Sequence, residues 1–339
     1  MSASGGKGSG EFSVAPPPAL VDILRRPRGR ALMLGHVHPD GDVLGTLLGL
    51  GLALGSGGWD VTFAGPHPVP APLAYLAGAE RWQVWQRAPA TFDVLVLTDC
   101  PNHGRTEGLI DQARGPASHV LNIDHHPDNR RYGTIDWVDP SAAAVGEMIL
   151  DLVHALGLAL TPGIALDLFT AIHTDTGSFR YSNTTERTFR AAAELTAAGA
   201  EPALVSDALY QRRPAGALHE LGEALGRVRV SEDGAVAWLA LPRGSTSEAF
   251  IEAEDLVTYP RSLAGVKVAL LLRETAPGVV KASLRGKGEV PVNRIAARFG
   301  GGGHENAAGC TLAGSLDDAS AQLLGAVREA LTSPGPGRP

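Results

Sequence analysis

The chain has 339 residues, 44 % of them apolar, which is enough for about two domains, each with a buried core. Lys and Arg total 29 against 36 Asp and Glu, a formal charge of -7 that argues against a protein coating long nucleic acid with a basic face. A small basic pocket for one or two phosphates remains compatible with it. Cys100 and Cys310 are the only cysteines and form no CxxC or zinc pattern. With no secretory signal in view, they point to a reducing cytoplasm. No uncharged apolar run reaches the ~18 residues of a membrane span, so a soluble chain is expected.

Residues 1–18 are rich in Gly, Ser and Pro and are expected as a disordered tail, as is 333–339. From 31 to about 199, short apolar strand candidates (31–35, 61–64, 93–98 and 120–123) alternate with helical stretches (43–54, 141–156, 163–172 and 185–198). This alternation predicts an α/β domain over 19–200, with a mostly parallel, doubly wound sheet. Ligands of such sheets bind beyond the carboxyl ends of the strands. A helical connector is expected over 201–226. Strand candidates 228–231, 235–241, 266–272 and 279–284, with helices near 247–255, 292–299 and 316–331, then predict a smaller α+β domain over 227–332.

Polar residues that suit metals cluster where the apolar runs end. The first strand candidate runs into His36-Val37-His38-Pro39-Asp40-Gly41-Asp42, and the third ends at Asp99. The fourth ends in Asp124-His125-His126, and a helix candidate ends in Ile172-His173-Thr174-Asp175. Any one of these can be read as a turn or a helix cap, the Asp124-His125-His126 run least readily. All four together, at strand and helix ends, read as a site. Carboxylate and imidazole donors without thiolates suit Mn²⁺, Mg²⁺ or a related divalent ion. If two ions sit ~3.5–4 Å apart, one Asp must bridge them.

In the second domain, four consecutive glycines, Gly300 to Gly303, precede His304. Glycines let backbone N–H groups approach an anion closely, so with Arg285 and His304 this segment reads as a phosphate holder. Arg180 reads either as a further substrate contact or as a surface ion pair. The remaining histidines, among them His67 and His173, read as structural or solvated, and the basic run 25–30 as a solvated stretch.

These motifs resemble the DHH phosphoesterase superfamily, named for the triplet seen here as Asp124-His125-His126. The motifs at His36–Asp42, Asp99, the triplet and Thr174-Asp175-Thr176-Gly177 follow in the family's order. The second domain resembles the DHHA1 domain through Ser283-Leu284-Arg285 and the segment from Gly300 to Gly309. Length and layout are similar to the NrnA-type nanoRNases and pAp phosphatases. The resemblance implies His36 and Asp40 on one metal, Asp42, His125 and Asp175 on the other, and Asp99 bridging. It implies that Asp124 fixes the His125 ring and that His126 faces the substrate phosphate. Gly301, Gly302, Gly303, His304, Arg285 and Arg180 become candidate substrate contacts. His38 and Thr46 depart from the usual Asn and Ser, and His38 reads as a hydrogen-bonding group before an extra ligand.

The implied activity is hydrolysis of short oligoribonucleotides (nanoRNA) and 3′-phosphoadenosine 5′-phosphate (pAp) to nucleoside 5′-monophosphates. Two divalent ions, Mn²⁺ ahead of Mg²⁺ or Co²⁺, would activate water. Short single-stranded RNA or DNA and dinucleotides are the implied partners, with a homodimer left open and no membrane or long duplex expected. A linear or cyclic dinucleotide phosphodiesterase is the same-fold alternative, and a non-catalytic nucleotide sensor the alternative of another class.

Overall fold

The computed structural model describes residues 14–26, 29–247, 256–287 and 290–332, with the backbone alone at His304. The chain divides into two compact units between Arg212 and Arg213.

In the first unit, β1 (Arg30–Leu34), β2 (Asp60–Gly65), β3 (Trp82–Val84), β4 (Phe92–Thr98), β5 (Arg114–Asp124) and β6 (Ile135–Val138) form one sheet in the order β3-β2-β1-β4-β5-β6. Every pairing is parallel. Its central strands are apolar without a break because both faces are covered. Ala31, Met33, Val94, Val96, Leu121 and Ile123 face one core, and Leu32, Leu34, Leu95, Leu97 and Val120 face another. The first core is closed by α1 (Pro18–Leu24), α2 (Gly41–Ser56), α4 (Val145–Leu156), α5 (Pro162–Asp175) and α6 (Glu186–Ala197). The second is closed by α3 (Leu109–Ala113). The strand order reverses between β1 and β4, so a crevice opens at their carboxyl ends.

One close approach sets the helix layer. A Cβ on Gly45 of α2 would lie 2.3 Å from the backbone oxygen of Asp167 in α5, and 3.1 Å from the Ala171 Cβ. Only hydrogen at that position lets the two helices touch, and these helices carry Asp42 and Asp175. Part of the high glycine content is therefore helix packing.

In the second unit, β7 (Arg229–Val230), β8 (Val236–Leu241), β9 (Val268–Ala276), β10 (Val279–Gly286), β11 (Gly302–His304) and β12 (Ala307–Ala313) form a mixed sheet, ordered β11-β12-β10-β9-β8-β7. One face packs on α10 (Val292–Ala297) and α11 (Leu316–Thr332), the other on α8 (Ala215–Leu225) and Leu256 and Val257 beside α9 (Thr258–Ser262).

Several elements differ from the sequence reading. Residues 14–18 are not a loose tail. The Val14 N–H donates to Asp139 (3.2 Å), the Trp137 indole donates to the Val14 carbonyl (2.8 Å), and α1 begins at Pro18. The strands β3 and β6 escape the sequence pattern because edge strands are short and half polar. The expected connector is two helices, α7 (Pro202–Tyr210) in the first unit and α8 in the second. The expected tail over 1–13, the tail over 333–339, and all but the first residue of the 247–255 helix lie outside the described residues.

Candidate metal centre

The turn after β1 carries His36 and Asp40. Asp40 caps α2, its Oδ1 accepting the N–H groups of Asp42 and Val43 at 3.1 Å each. Asp42, one residue into the helix, is nearly inaccessible, and its carboxylate accepts Val145 N–H (2.8 Å) and Gly146 N–H (3.1 Å) at the start of α4. Asp99 follows β4 in a left-handed conformation (φ 50°) that Asp tolerates better than most residues. His125 and His126 follow β5, and Asp175 ends α5.

Three sets of donor atoms converge there, each within 4.8 Å: His36, Asp40 and Asp99; Asp42, His125 and Asp175; and Asp99, His125 and His126. Asp99 is shared and its oxygens point apart. Its Oδ2 lies 3.8 Å from His36 Nε2, and its Oδ1 3.3 Å from His125 Nε2. His125 Nε2 also lies 3.5 Å from Asp175 and 3.9 Å from Asp42. The His36 and His125 rings each turn Nδ1 to a backbone carbonyl, Val37 at 2.8 Å and Ala142 at 3.0 Å. In both rings Nε2 is the nitrogen left facing the Asp99 carboxylate. His36 Nε2 is buried without a hydrogen-bond partner among the described residues.

Electrostatics point the same way. Burial and the nearby Asp99 and Asp175 push the Asp42 carboxyl well above its usual range. Asp175 is pushed up to about 7 by burial, against the pull of His125 and with the push of Asp99 and Asp40. Against its burial, the charge of His126 and the nearby rings of His125 and His36 hold Asp99 well below the usual range. A crowd of carboxylates that cannot all ionise alone is one that divalent cations would neutralise. The donor set is hard, without sulfur. Cys100 is buried, donates to the Asn102 carbonyl (3.3 Å), and its thiol is pushed up to about 11 by burial. These residues fit a metal centre for oxygen- and nitrogen-seeking divalent ions.

The role inferred for Asp124 needs correction. It does not fix the His125 ring, which Ala142 holds. Its Oδ1 accepts His126 Nδ1–H at 2.8 Å, along with the backbone N–H groups of His125 (2.8 Å) and His126 (3.2 Å). Asp124 therefore orients His126, and Asn129 donates to its other oxygen. Against its burial, the charge of Asp99 and the bond to Asp124 push His126 up to about 10.

Other residues of the site carry no signal in the sequence. Arg105 places a guanidinium nitrogen 3.1 Å from His36 Nδ1, and its carbonyl accepts Val37 N–H at 2.9 Å. Asn183 donates to the Ala143 and Asp175 carbonyls (3.0 and 3.1 Å). No local pattern announces such long-range contacts. His38 is exposed and stands outside the three donor sets. Its N–H donates to His67 Nδ1 (3.1 Å). Arg180 is exposed on the loop after Asp175, its Nε donating to the Gly177 carbonyl (2.6 Å).

In the second unit, pairing puts Arg285, Ala307 and His304 in one row across β10, β12 and β11. The His304 side chain lies outside what is described. The second half of the glycine run, Gly302 and Gly303, is part of a strand rather than an open loop. Gly301 N–H closes α10 on the Ala296 carbonyl, and Gly302 and Gly303 pair with Gly309 and Ala308. A Cβ on Gly303 (φ 132°) would lie 2.5 Å from the Ala307 oxygen, so the hairpin itself demands glycine there.

Residues 30–172 match the model of the DHH family N-terminal domain and 248–333 that of the DHHA1 domain. Over 319 residues the chain is 37 % identical to the bifunctional oligoribonuclease and PAP phosphatase NrnA of Thermus thermophilus, covering 93 % of this chain and 94 % of that one. The chain belongs to the DHH family. As a DHH phosphoesterase, it is a metal-dependent hydrolase of phosphate esters. The Bacillus subtilis protein of the same name is 30 % identical, over 82 % of this chain and 87 % of that one. Among solved structures, an exopolyphosphatase-related protein from Bacteroides fragilis superimposes with a TM-score of 0.82 at 25 % identity, covering 92 % of this chain and 96 % of the other. No described helix of this DHH protein is long and apolar enough to cross a membrane.

Proposed function

We propose that this chain hydrolyses short oligoribonucleotides and pAp to nucleoside 5′-monophosphates at a centre for two divalent ions, Mn²⁺ foremost. The observation that carries the reading is Asp99, whose two oxygens face two separate donor sets in a chain similar along its length to two proteins named as oligoribonucleases and PAP phosphatases. His36 and Asp40 would hold one ion, Asp42, His125 and Asp175 the other, and Asp99 would contribute to both. Ions held so supply Lewis acidity and lower the pKa of water.

The chain's own groups do the rest. His126 holds a proton on Nδ1 against Asp124, and a proton on its other nitrogen would favour negative charge building on phosphoryl oxygens. Asp124 keeps that ring from turning. Substrate holding falls to Arg285, Gly301, Gly302, Gly303 and His304 of the second unit, with Arg180 as a contact from the first. The division of labour follows the two units, chemistry in 19–200 and holding in 227–332.

The test is a product time course with Mn²⁺ on pAp and on 5′-labelled RNAs from about two to two dozen nucleotides. Mononucleotides should accumulate fastest from pAp and the shortest RNAs. Metal-loaded protein that turns over neither would sink the reading, and sole turnover of a cyclic dinucleotide would replace it with the phosphodiesterase alternative.

A further inference from the structure

Arg187, on α6, lies outside the three donor sets, yet it sits under one of them. Its Nη1 lies 3.3 Å from Asp139 Oδ2, its Nε 3.5 Å from Glu147 Oε2, and its Nη2 2.8 Å from Asp151 Oδ2. Asp151 is 42 % exposed, so that limb contributes little. The other two carboxylates are 2 % and 1 % exposed, so water hardly screens their contacts with the guanidinium, which shares Asp139 Oδ2 with the Val14 N–H. The planar fork of Arg187 reaches both from one position.

Those two carboxylates pin the segment 139–147 at its ends. Asp139 Oδ1 accepts the backbone N–H (3.0 Å) and the hydroxyl (2.6 Å) of Ser141, and its own N–H donates to the Asp124 carbonyl (3.0 Å). Glu147 Oε2 accepts Ala143 N–H (3.3 Å). Between the pins lie the contacts that aim Asp42, His125 and Asp175. The Ala142 carbonyl takes His125 Nδ1–H, Val145 and Gly146 hold Asp42, and the Ala143 carbonyl shares Asn183 with the carbonyl of Asp175. Among the described residues, His36, Asp40 and Asp99 make no hydrogen bond to this segment.

We infer that Arg187 is a positioning residue for one half of the metal centre: by clamping Asp139 and Glu147 it holds the 139–147 segment that aims Asp42, His125 and Asp175. This inference rests on the metal-hydrolase reading above. It differs from an ion pair that merely fastens α6 to α4. Such a pair would lower Tm while leaving the metal affinity of the folded protein alone. The clamp instead couples a side chain remote from the donors to the affinity of one donor set and spares the other.

The experiment strips the full-length protein with chelator and titrates Mn²⁺ by calorimetry and by the electron paramagnetic resonance of free ion, with Tm measured in chelator. In Arg187→Met, one class of Mn²⁺ should weaken tenfold or more while the other stays within about twofold. Arg187→Lys should fall between Arg187→Met and the parent, since an ammonium can serve one carboxylate at a time, and Asp151→Asn should match the parent. A folded Arg187→Met protein with both affinities of the parent, whatever its Tm, overturns the inference and leaves the proposed function standing. Equal weakening of both classes also overturns it. If Arg187→Met does not fold, parent-like affinities in Arg187→Lys overturn the inference in its place. A parent protein that binds no Mn²⁺ overturns the metal reading and this inference with it.

Discussion

Replacing Gly45 by alanine should damage the metal centre without touching a donor. The new Cβ would stand 2.3 Å from the Asp167 oxygen, a backbone atom that no rotamer change removes. Ordinary contact begins at 3.4 Å, so α2 and α5 must part by about 1 Å, the kind of overpacking that costs about 1–3 kcal/mol. Asp42 rides on α2 and Asp175 on α5, and an oxygen of each lies within 4.8 Å of the other and of a His125 nitrogen. A misplacement of about 1 Å in a positioned group is worth roughly a hundredfold in rate. Gly55→Ala is the matched control. It is exposed on the same helix with nothing within 4 Å of its Cβ, and should be neutral or stabilising by up to about 1 kcal/mol. The assay pairs kcat/KM on pAp with Mn²⁺ affinity and Tm for both variants. A Gly45→Ala protein with the parent's Mn²⁺ affinity and turnover would refute the claim that this helix contact sets the centre.

Asp99→Asn keeps the residue type that tolerates a left-handed backbone while removing the shared charge, and should lose turnover by at least about a hundredfold. Near-normal activity in that folded variant, or undiminished metal content by elemental analysis, would rule out the bridging role. Binding of Mn²⁺ should release protons, because Asp175, pushed up to about 7, and the raised Asp42 must ionise to serve as ligands. Affinity should therefore rise between pH 6 and 8, by up to about tenfold per pH unit for each proton displaced. Titrations whose apparent heats are the same in buffers of different ionisation enthalpy would contradict this. Arg285→Ala should lose about ten- to a hundredfold in kcat/KM on pAp, as expected for one charged contact to phosphate, and little on a small activated phosphodiester. Equal losses on both substrates would move Arg285 from holding substrate to the chemistry or the fold.

What is legible in the sequence are the places where apolar runs stop. His36, Asp99 and His125 each follow a strand whose both faces are buried, so the run of Leu, Val and Ile ends where the crevice begins. The parallel order and the carboxyl-edge position of the site follow from the same alternation. The target of Asp124 is not legible, because one residue's rotation decides whether a carboxylate meets the ring next to it or the one after. Nor are β3 and β6, whose Gln83 and Asp136 break the apolar pattern at the sheet edges. The glycine run is legible only in part. Glycine suits an anion nest and a tight hairpin for the same steric reason, and the pairing of Gly302 and Gly303 with Gly309 and Ala308, a long-range contact, is the part that the sequence does not announce.

The two halves of the centre are built by different means. His36 and Asp40 lie on one turn after β1, and Asp99 follows the strand paired beside it, so β1, β4 and their parallel register suffice to bring the three together. Asp42, His125 and Asp175 come from α2, the end of β5 and the end of α5, and no backbone ladder joins those three points. Their convergence depends on a glycine that lets two helices touch, on the 139–147 segment, and on the amide of Asn183. The first half inherits the rigidity of the sheet, while the second carries the sensitivity of side-chain packing. Substitutions far from any donor therefore act on the metal centre through its second half, while Asp99, which follows a strand of the sheet, keeps its place with the first.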